Sequence, residues 1–299
     1  MNDVMHPGEL ALDEAVVRRL VDTQFPQWGG LPLERVGSSG TVNVLYRLGD
    51  ELVVRLPRVC EGGKVWSRGA FDRDREWLPQ LAPLLPAAVP EPLAKGAPGE
   101  DYPTDWAVYA WLPGEHPDPE RLAEPGSLAR QLAGFIRALR AVETGRAPES
   151  GRGSSLERWD EPTRAALHEL EGSIDTAAAL ADWERALAAA PWDGAPVWAH
   201  GDLMPANLLL QGTRLTGVLD WGGAGLGDPA IDLQPAWNSL SGHARGVFRE
   251  ELHVDDASWE RGRGWALWTG IVALPYYRET NPELAGNAAF RIGQVLGAG

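Results

Sequence analysis

The chain is short of the residues that mark several common functions. Of its 27 basic residues only two are lysine, Lys64 and Lys95. The single cysteine, Cys60, excludes an internal disulfide, and no Cys/His group has zinc-site spacing; the thiol reads as buried or incidental rather than as a nucleophile. Nowhere do apolar residues run for the ~20 positions a membrane span needs. The opening MNDVMHPGELALDEA carries acid where a secretory leader carries basic and then apolar residues. A cytoplasmic protein with no membrane partner is expected. Positive charge is scarce overall, since 42 acidic residues face 27 basic ones for a net charge of −15 at pH 7. No nucleic-acid partner is expected, because a polyanion needs a basic surface to displace its counterions. Acidity of this size serves solubility and would also draw in a cationic small molecule.

The 299 residues are 44% hydrophobic and 23% charged, the composition of a globular chain with one large core or two modest ones. There is no internal repeat, and the organisation changes character near residue 113. Residues 12–24 place Ala15, Val16, Leu20 and Val21 at helical spacing. PLERVG, VNVLYRL and ELVVRLP then read as short strands, the last two joined through Gly49-Asp50 as in a tight hairpin. A helix over 70–82 and a strand in WAVYAWLPG, residues 106–114, follow; the Pro-Gly break ends the strand. Beyond it helices dominate. Leu128, Leu132, Phe135, Leu139 and Val142 share one face of 127–142, and helical patterns fill 156–190 and 256–297. The pattern is α+β, a small lobe with antiparallel sheet before a larger, mostly helical one, with a ligand expected in the cleft between them.

The stretch HGDLMPANLLLQGTRLTGVLD, residues 200–220, concentrates the polar chemistry. PVWA before it reads as a strand, and NLLL and LTGVLD as a strand pair around QGTR, so the leucines are packing and residues 200–206 a loop at one end of a buried hairpin. Asp202, Asn207 and Asp220 converge at that end. Asn207 and Asp220 offer hard oxygen ligands suited to Mg²⁺, which keeps several waters and is shared with substrate phosphates. Asp202 is left to accept a proton from a nucleophile. That division of labour is a phosphoryl-transfer arrangement.

His-Gly-Asp-x4-Asn followed by Leu-Asp-Trp and then GDPAIDL resembles the aminoglycoside phosphotransferases, bacterial enzymes of the protein-kinase-like fold that phosphorylate antibiotics and related small molecules. Protein kinases carry H-R-D-x4-N and D-F-G at these places. The resemblance implies a bilobal kinase-like fold, with 1–105 as the nucleotide-binding lobe, 106–114 as a hinge strand and 115–299 as the catalytic and substrate-binding lobe. It implies Asp202 as catalytic base, Asn207 and Asp220 as Mg²⁺ ligands, His200 as a structural residue of the catalytic loop, and Asp232 as a brace of that loop. The phosphate donor is ATP or GTP, and the acceptor a small-molecule antibiotic, with a cationic aminoglycoside or basic peptide antibiotic favoured and resistance as the consequence. A choline-kinase-like or sugar-kinase-like metabolic enzyme would share these catalytic residues and differ in its pocket. A protein kinase is disfavoured, because residues 221–228 are too short for an activation segment.

The first lobe carries the resemblance less sharply. GSSGTVNVLYRL is similar to the family's nucleotide-covering loop and following strand, with Ser38, Ser39 and Gly40 close to phosphate. The next strand has Arg55 where a kinase strand has a phosphate-pairing lysine; Lys64 is the rival. Asp74 takes the place of the family's helix glutamate, with Glu76 a near alternative. Backbone groups from Tyr109 to Trp111 are expected to meet the purine. For the acceptor, HVDDASWE offers Asp255, Asp256, Trp259 and Glu260, although Asp256 or Ser258 also reads as a helix cap.

Overall fold

Helix α1 (Glu14–Gln24) starts where Asp13 caps it, accepting the Val16 N–H at 2.9 Å. Its buried face is Val17, Leu20 and Val21, one residue round from the expected one: Ala15 is exposed and Val16 only partly buried. The computed structural model describes residues 9–10, 12–37, 42–60, 64–65, 69–99 and 101–297. Strands β1 (Leu33–Arg35), β2 (Asn43–Leu48) and β3 (Leu52–Pro57) follow, then the short pair β4 (Val59–Cys60) and β5 (Lys64–Val65), helix α2 (Ala70–Leu81), β6 (Pro92–Gly96) and β7 (Trp106–Ala110). Five of these strands form one antiparallel sheet in the order β1-β2-β3-β7-β6. Gly49, at φ 61°, lets β2 turn back into β3 with Leu48 opposite Leu52.

Strand alternation sorts this sheet into two faces. Val44, Tyr46, Leu48, Val54, Leu56, Trp106 and Val108 build one apolar core with Val17, Leu20 and Val21 of α1. Val53, Ala107 and Tyr109 point the other way and pack with Phe71 of α2. Arg55 shares that second face, as ELVVRLP alternation predicts.

The remaining elements are α3 (Pro125–Arg140), α4 (Asp160–Glu169), α5 (Thr176–Ala188), β8 (Val197–Ala199), β9 (Leu208–Gln211), β10 (Arg214–Val218), β11 (Gly225–Gly227), α6 (Pro235–Asn238), α7 (Gly242–Leu252), α8 (Asp256–Tyr277) and α9 (Pro282–Leu296). On α3, Leu128, Leu132, Phe135 and Leu139 are buried as their spacing predicts; the helix ends at Arg140, before Val142. The chain divides into two compact units, Met1–Ala82 with Val89–Pro113 and Pro83–Ala88 with Gly114–Gly299. Among the described residues no helix is long and apolar enough to cross a membrane.

The cap of α8 is Asp255, not Asp256 or Ser258. Asp255 accepts the Ser258 N–H at 2.7 Å and the Ser258 hydroxyl at 3.0 Å. These bonds hold its carboxyl below the ordinary value of 3.8. A depressed carboxyl stabilises the fold above its unfolded pKa and loses that contribution as the pH falls through the folded one. Asp255→Ala should therefore cost about 1 kcal/mol at neutral pH, with the difference from the parent in thermal melts closing well below pH 3.8.

Candidate active site

The loop after β8 is fixed by a buried carboxylate. Asp232, fully buried in the 3₁₀ turn Pro229–Leu233, accepts the His200 N–H on Oδ2 and the Gly201 N–H on Oδ1, both at 2.8 Å. Burial drives its carboxyl upward, and the two N–H bonds and the Arg140 guanidinium oppose that shift. Gly201 lies at φ 79°, and a Cβ there would meet Gly223 O at 3.2 Å, so only glycine suits the turn into Asp202.

His200 is wholly buried and links both sides of the hairpin end. Its Nδ1 accepts the Asp202 N–H at 3.2 Å, which leaves Nε2 as donor to Leu219 O at 3.0 Å. Its ring packs edge-on to Trp221, 4.9 Å between centroids. Further along the loop, Asn238 Nδ2 donates to Leu203 O at 2.7 Å, and Gln234 Nε2 reaches Gly201 O at 3.5 Å.

Asn207 follows in a 3₁₀ turn, Pro205–Asn207, and is nearly buried. Its Nδ2 donates to Asp202 O at 2.9 Å and approaches Asp202 Oδ2 at 3.4 Å. The amide donor is thereby spent on Asp202, and the carbonyl Oδ1 is its acceptor side. β9 and β10 pair Leu208 with Val218, and Leu219 N–H donates to Asn207 O at 2.8 Å, which sets Asp220 one residue beyond Asn207's partner. Asp220 adopts φ 56°, a left-handed conformation that aspartate tolerates better than most residues, and its Oδ1 accepts the Gly222 N–H at 3.4 Å. The amide oxygen of Asn207 and the carboxylate of Asp220 are both hard oxygen donors. Among the described residues no group of three or more His, Cys, Asp or Glu comes together to enclose a metal. Two such ligands fit Mg²⁺, which completes its shell with water and phosphate oxygen.

Asp202 is part-exposed, at 19%, and its Oδ1 lies 2.5 Å from Nη1 of Arg152. Asp202 raises the Arg152 guanidinium, burial opposes it, and Asp220 adds to the rise. Arg291, buried on α9, is held by neutral acceptors: Thr269 Oγ1, Asn287 Oδ1 at 2.9 Å and Gln234 Oε1 at 3.5 Å. Burial pushes its guanidinium down to about 10, with Asp202 opposing.

In the first unit, Arg55 Nη1 lies 3.5 Å from Asp74 Oδ2, with Arg55 17% and Asp74 4% exposed. The Tyr109 hydroxyl donates to the same Oδ2 at 2.8 Å, and the Arg55 guanidinium lies 5.8 Å from the Tyr109 ring centroid. Burial and the Asp74 charge drive the Tyr109 phenol well above its ordinary value, so it remains a neutral donor. A pocket on this face is lined by Asn43, Arg55, Phe71, Ala107 and Tyr109 among others. Glu76 is exposed, so Asp74 alone of the two acidic candidates meets Arg55.

Other expected residues lie elsewhere. Ser38, Ser39 and Gly40 fall outside the described residues, and Lys64 pairs with Cys60 in the β4-β5 ladder. Two of the backbone donors expected at the purine are used within the first unit, at or just beyond the strand ends: Ala110 N–H bonds Glu91 O at 3.0 Å and Trp111 N–H bonds Glu51 O at 2.7 Å. The Trp111 ring lies 5.1 Å from the Arg47 guanidinium. HVDDASWE does not present a set of free acids. Asp255 caps α8, Asp256 pairs with Arg249, and Trp259 packs on Trp237 at 4.7 Å and under Arg249 at 5.0 Å. Glu260 is part-buried, and its Oε2 has no hydrogen-bond partner.

Sequence reasoning missed the Tyr109 hydroxyl, Arg152, Gln234 and Asn238. Alternation in WAVYAW could have placed Tyr109 on the Arg55 face once β7 was set beside β3. Arg152 sits in the aperiodic run ESGRGSS, which carries no such signal.

Comparison with known proteins bears on the fold and the family. The chain is 32% identical over 197 residues to viomycin phosphotransferase of Streptomyces vinaceus, covering 56% of this chain and 63% of that protein. It spans less than two thirds of the length of the curated relatives it matches. The GDP complex of wild-type aminoglycoside 2'-phosphotransferase-IIIa superposes with a TM-score of 0.70 at 17% identity, over 96% of this chain and 99% of the other. The apoenzyme of macrolide 2'-phosphotransferase MphH from Brachybacterium faecium superposes with a TM-score of 0.58 at 24% identity, over 93% and 97%. These likenesses give the chain the α+β, kinase-like fold of the antibiotic phosphotransferases. The model of the phosphotransferase enzyme family matches residues 34–265, well over half of the sequence, and the chain belongs to that family.

Proposed function

We propose that this chain is a Mg²⁺-dependent O-phosphotransferase that moves the γ-phosphate of ATP or GTP to a hydroxyl of a cationic small-molecule antibiotic, and so confers resistance to it. The observation that supports the reading is the loop braced by Asp232, where Asn207 bonds Asp202 and Leu219, the residue before Asp220, bonds the Asn207 backbone. Asp202 takes the acceptor's hydroxyl proton; Asn207 and Asp220 hold the metal, which when bound neutralises phosphate charge. His200 and Asp232 keep the loop rigid, so that little reorganisation accompanies transfer. Arg55, oriented by Asp74, holds the nucleotide phosphates. The GDP-bound fold relative supports a nucleoside triphosphate as donor. The net charge of −15 and the viomycin phosphotransferase relative support a cationic acceptor.

Two tests follow. In thermal-shift titrations with Mg²⁺ and nucleotide, an aminoglycoside or basic peptide antibiotic should raise the melting temperature, since a ligand at 100 times its Kd stabilises by about 2.7 kcal/mol. Shifts with choline or simple sugars alone would count against an antibiotic acceptor. For the nucleotide, Arg55→Met should weaken binding roughly tenfold or more, because one charge-assisted contact is worth about 1.5–3 kcal/mol. Arg55→Lys should retain part of the affinity and Lys64→Met nearly all of it. Calorimetry giving the reverse order would move the phosphate contact to Lys64.

A further inference from the structure

The loop carrying Asp202 has no basic residue of its own, since Leu203, Met204, Pro205 and Ala206 fill the interval to Asn207. Phosphoryl transfer spreads negative charge over the peripheral oxygens of the moving group, and fixed cations are the usual answer to that charge. In the helical unit Arg152 meets Asp202, and its side chain is 39% exposed.

The backbone around Arg152 is closely held. Ser150 N–H donates to Leu226 O at 2.9 Å, Leu226 N–H to Pro148 O at 2.7 Å, and Asp228 N–H to Gly153 O at 3.0 Å. Ser150 Oγ donates to Gly223 O and accepts the Gly153 N–H, both at 3.0 Å. The same hydroxyl oxygen would lie 3.5 Å from a Cβ on Gly201. Arg152 is thus presented from a segment pinned between the residue before Asp202 and the turn after Asp220. Two glycines permit that packing: a Cβ on Gly225 would sit 2.6 Å from Pro148 O, and one on Gly227 2.6 Å from Gly153 O.

We propose that Arg152 is a catalytic cation, whose guanidinium binds the peripheral oxygens of the phosphoryl group during transfer while Nη1 keeps Asp202 oriented. This rests on the reading of Asp202 as the base. In the step, the bond from the acceptor oxygen to phosphorus forms as the bond from phosphorus to the β–γ bridging oxygen breaks. The hydroxyl proton passes to Asp202, the bridging electron pair leaves with the nucleoside diphosphate, and Arg152 exchanges no proton.

The test uses Arg152→Gln and Arg152→Lys, each alone and with Asp202→Asn, and reads both turnover and the affinity for Mg²⁺·ADP with and without aluminium fluoride, which mimics the moving phosphoryl group. Arg152→Gln should lower kcat by ~10²-fold or more, leave Mg²⁺·ADP binding unchanged and abolish the extra affinity that aluminium fluoride confers. Arg152→Lys should recover part of both. If Arg152→Gln keeps the aluminium fluoride gain in full, Arg152 does not touch the phosphoryl group and the proposal is overturned. Loss of turnover with that gain retained would make it a positioning residue acting through Asp202. Near-parent turnover by Asp202→Asn alone would remove the base assignment, and the aluminium fluoride titration would still decide Arg152.

Discussion

Asp202→Asn should lose on the order of 10²- to 10⁴-fold in turnover, the range of a general-base contribution, while nucleotide affinity survives. The substitution keeps the size of the side chain, and the bonds that shape the loop come from elsewhere. Asp232 holds the His200 and Gly201 N–H groups, Asn238 holds Leu203 O, and His200 accepts the Asp202 backbone N–H. What disappears is the carboxylate facing Arg152 and Asn207, and with it the proton acceptor. Steady-state kinetics with a saturating acceptor would read the fall in kcat. A parent-like rate would mean that the loop performs some other task.

The second large effect is expected at the metal. Asp220→Ala and Asn207→Ala should both raise the Mg²⁺ needed for half-maximal nucleotide binding, the first by roughly tenfold or more, as befits a charged contact of about 1.5–3 kcal/mol. Asn207→Ala removes a neutral oxygen and should do less to the metal. It also removes the Nδ2 bonds to Asp202, so its kcat should fall further than its metal affinity. Asp220→Asn separates charge from backbone, because asparagine also tolerates the left-handed conformation at φ 56°. Calorimetric titration of Mg²⁺ with nucleotide distinguishes the three, and an unaltered Mg²⁺ dependence in Asp220→Ala would place the metal elsewhere.

Local signals made the fold readable. Period-2 alternation fixed which face of β3 carries Arg55, and the apolar spacing of α3 named its buried residues. The hairpin at 208–218 followed from a leucine run, a turn and a second apolar run. The site was legible where chemistry is packed into contiguous sequence, as in residues 200–220. It was not legible where partners arrive from distant segments. Asp74 and Tyr109 are 35 residues apart, and Asp202 and Arg152 lie on separate loops; no periodicity links either pair. At 253–260 sequence alone could not separate two roles, because a helix start attracts the same carboxylates as a cationic ligand, and Asp255 serves the helix.

The most direct measurement is phosphate transfer itself. The protein is incubated with γ-labelled ATP or GTP, Mg²⁺ and a panel of aminoglycosides, basic peptide antibiotics, nucleoside antibiotics and macrolides, and each acceptor is assayed for label and for the mass of one added phosphoryl group. The expected result is Mg²⁺-dependent labelling of a hydroxyl on a cationic antibiotic by the parent protein, and labelling slower by ~10²-fold or more by Asp202→Asn. Equal labelling by the two proteins, or label that reaches only a metabolic alcohol such as choline, would contradict it.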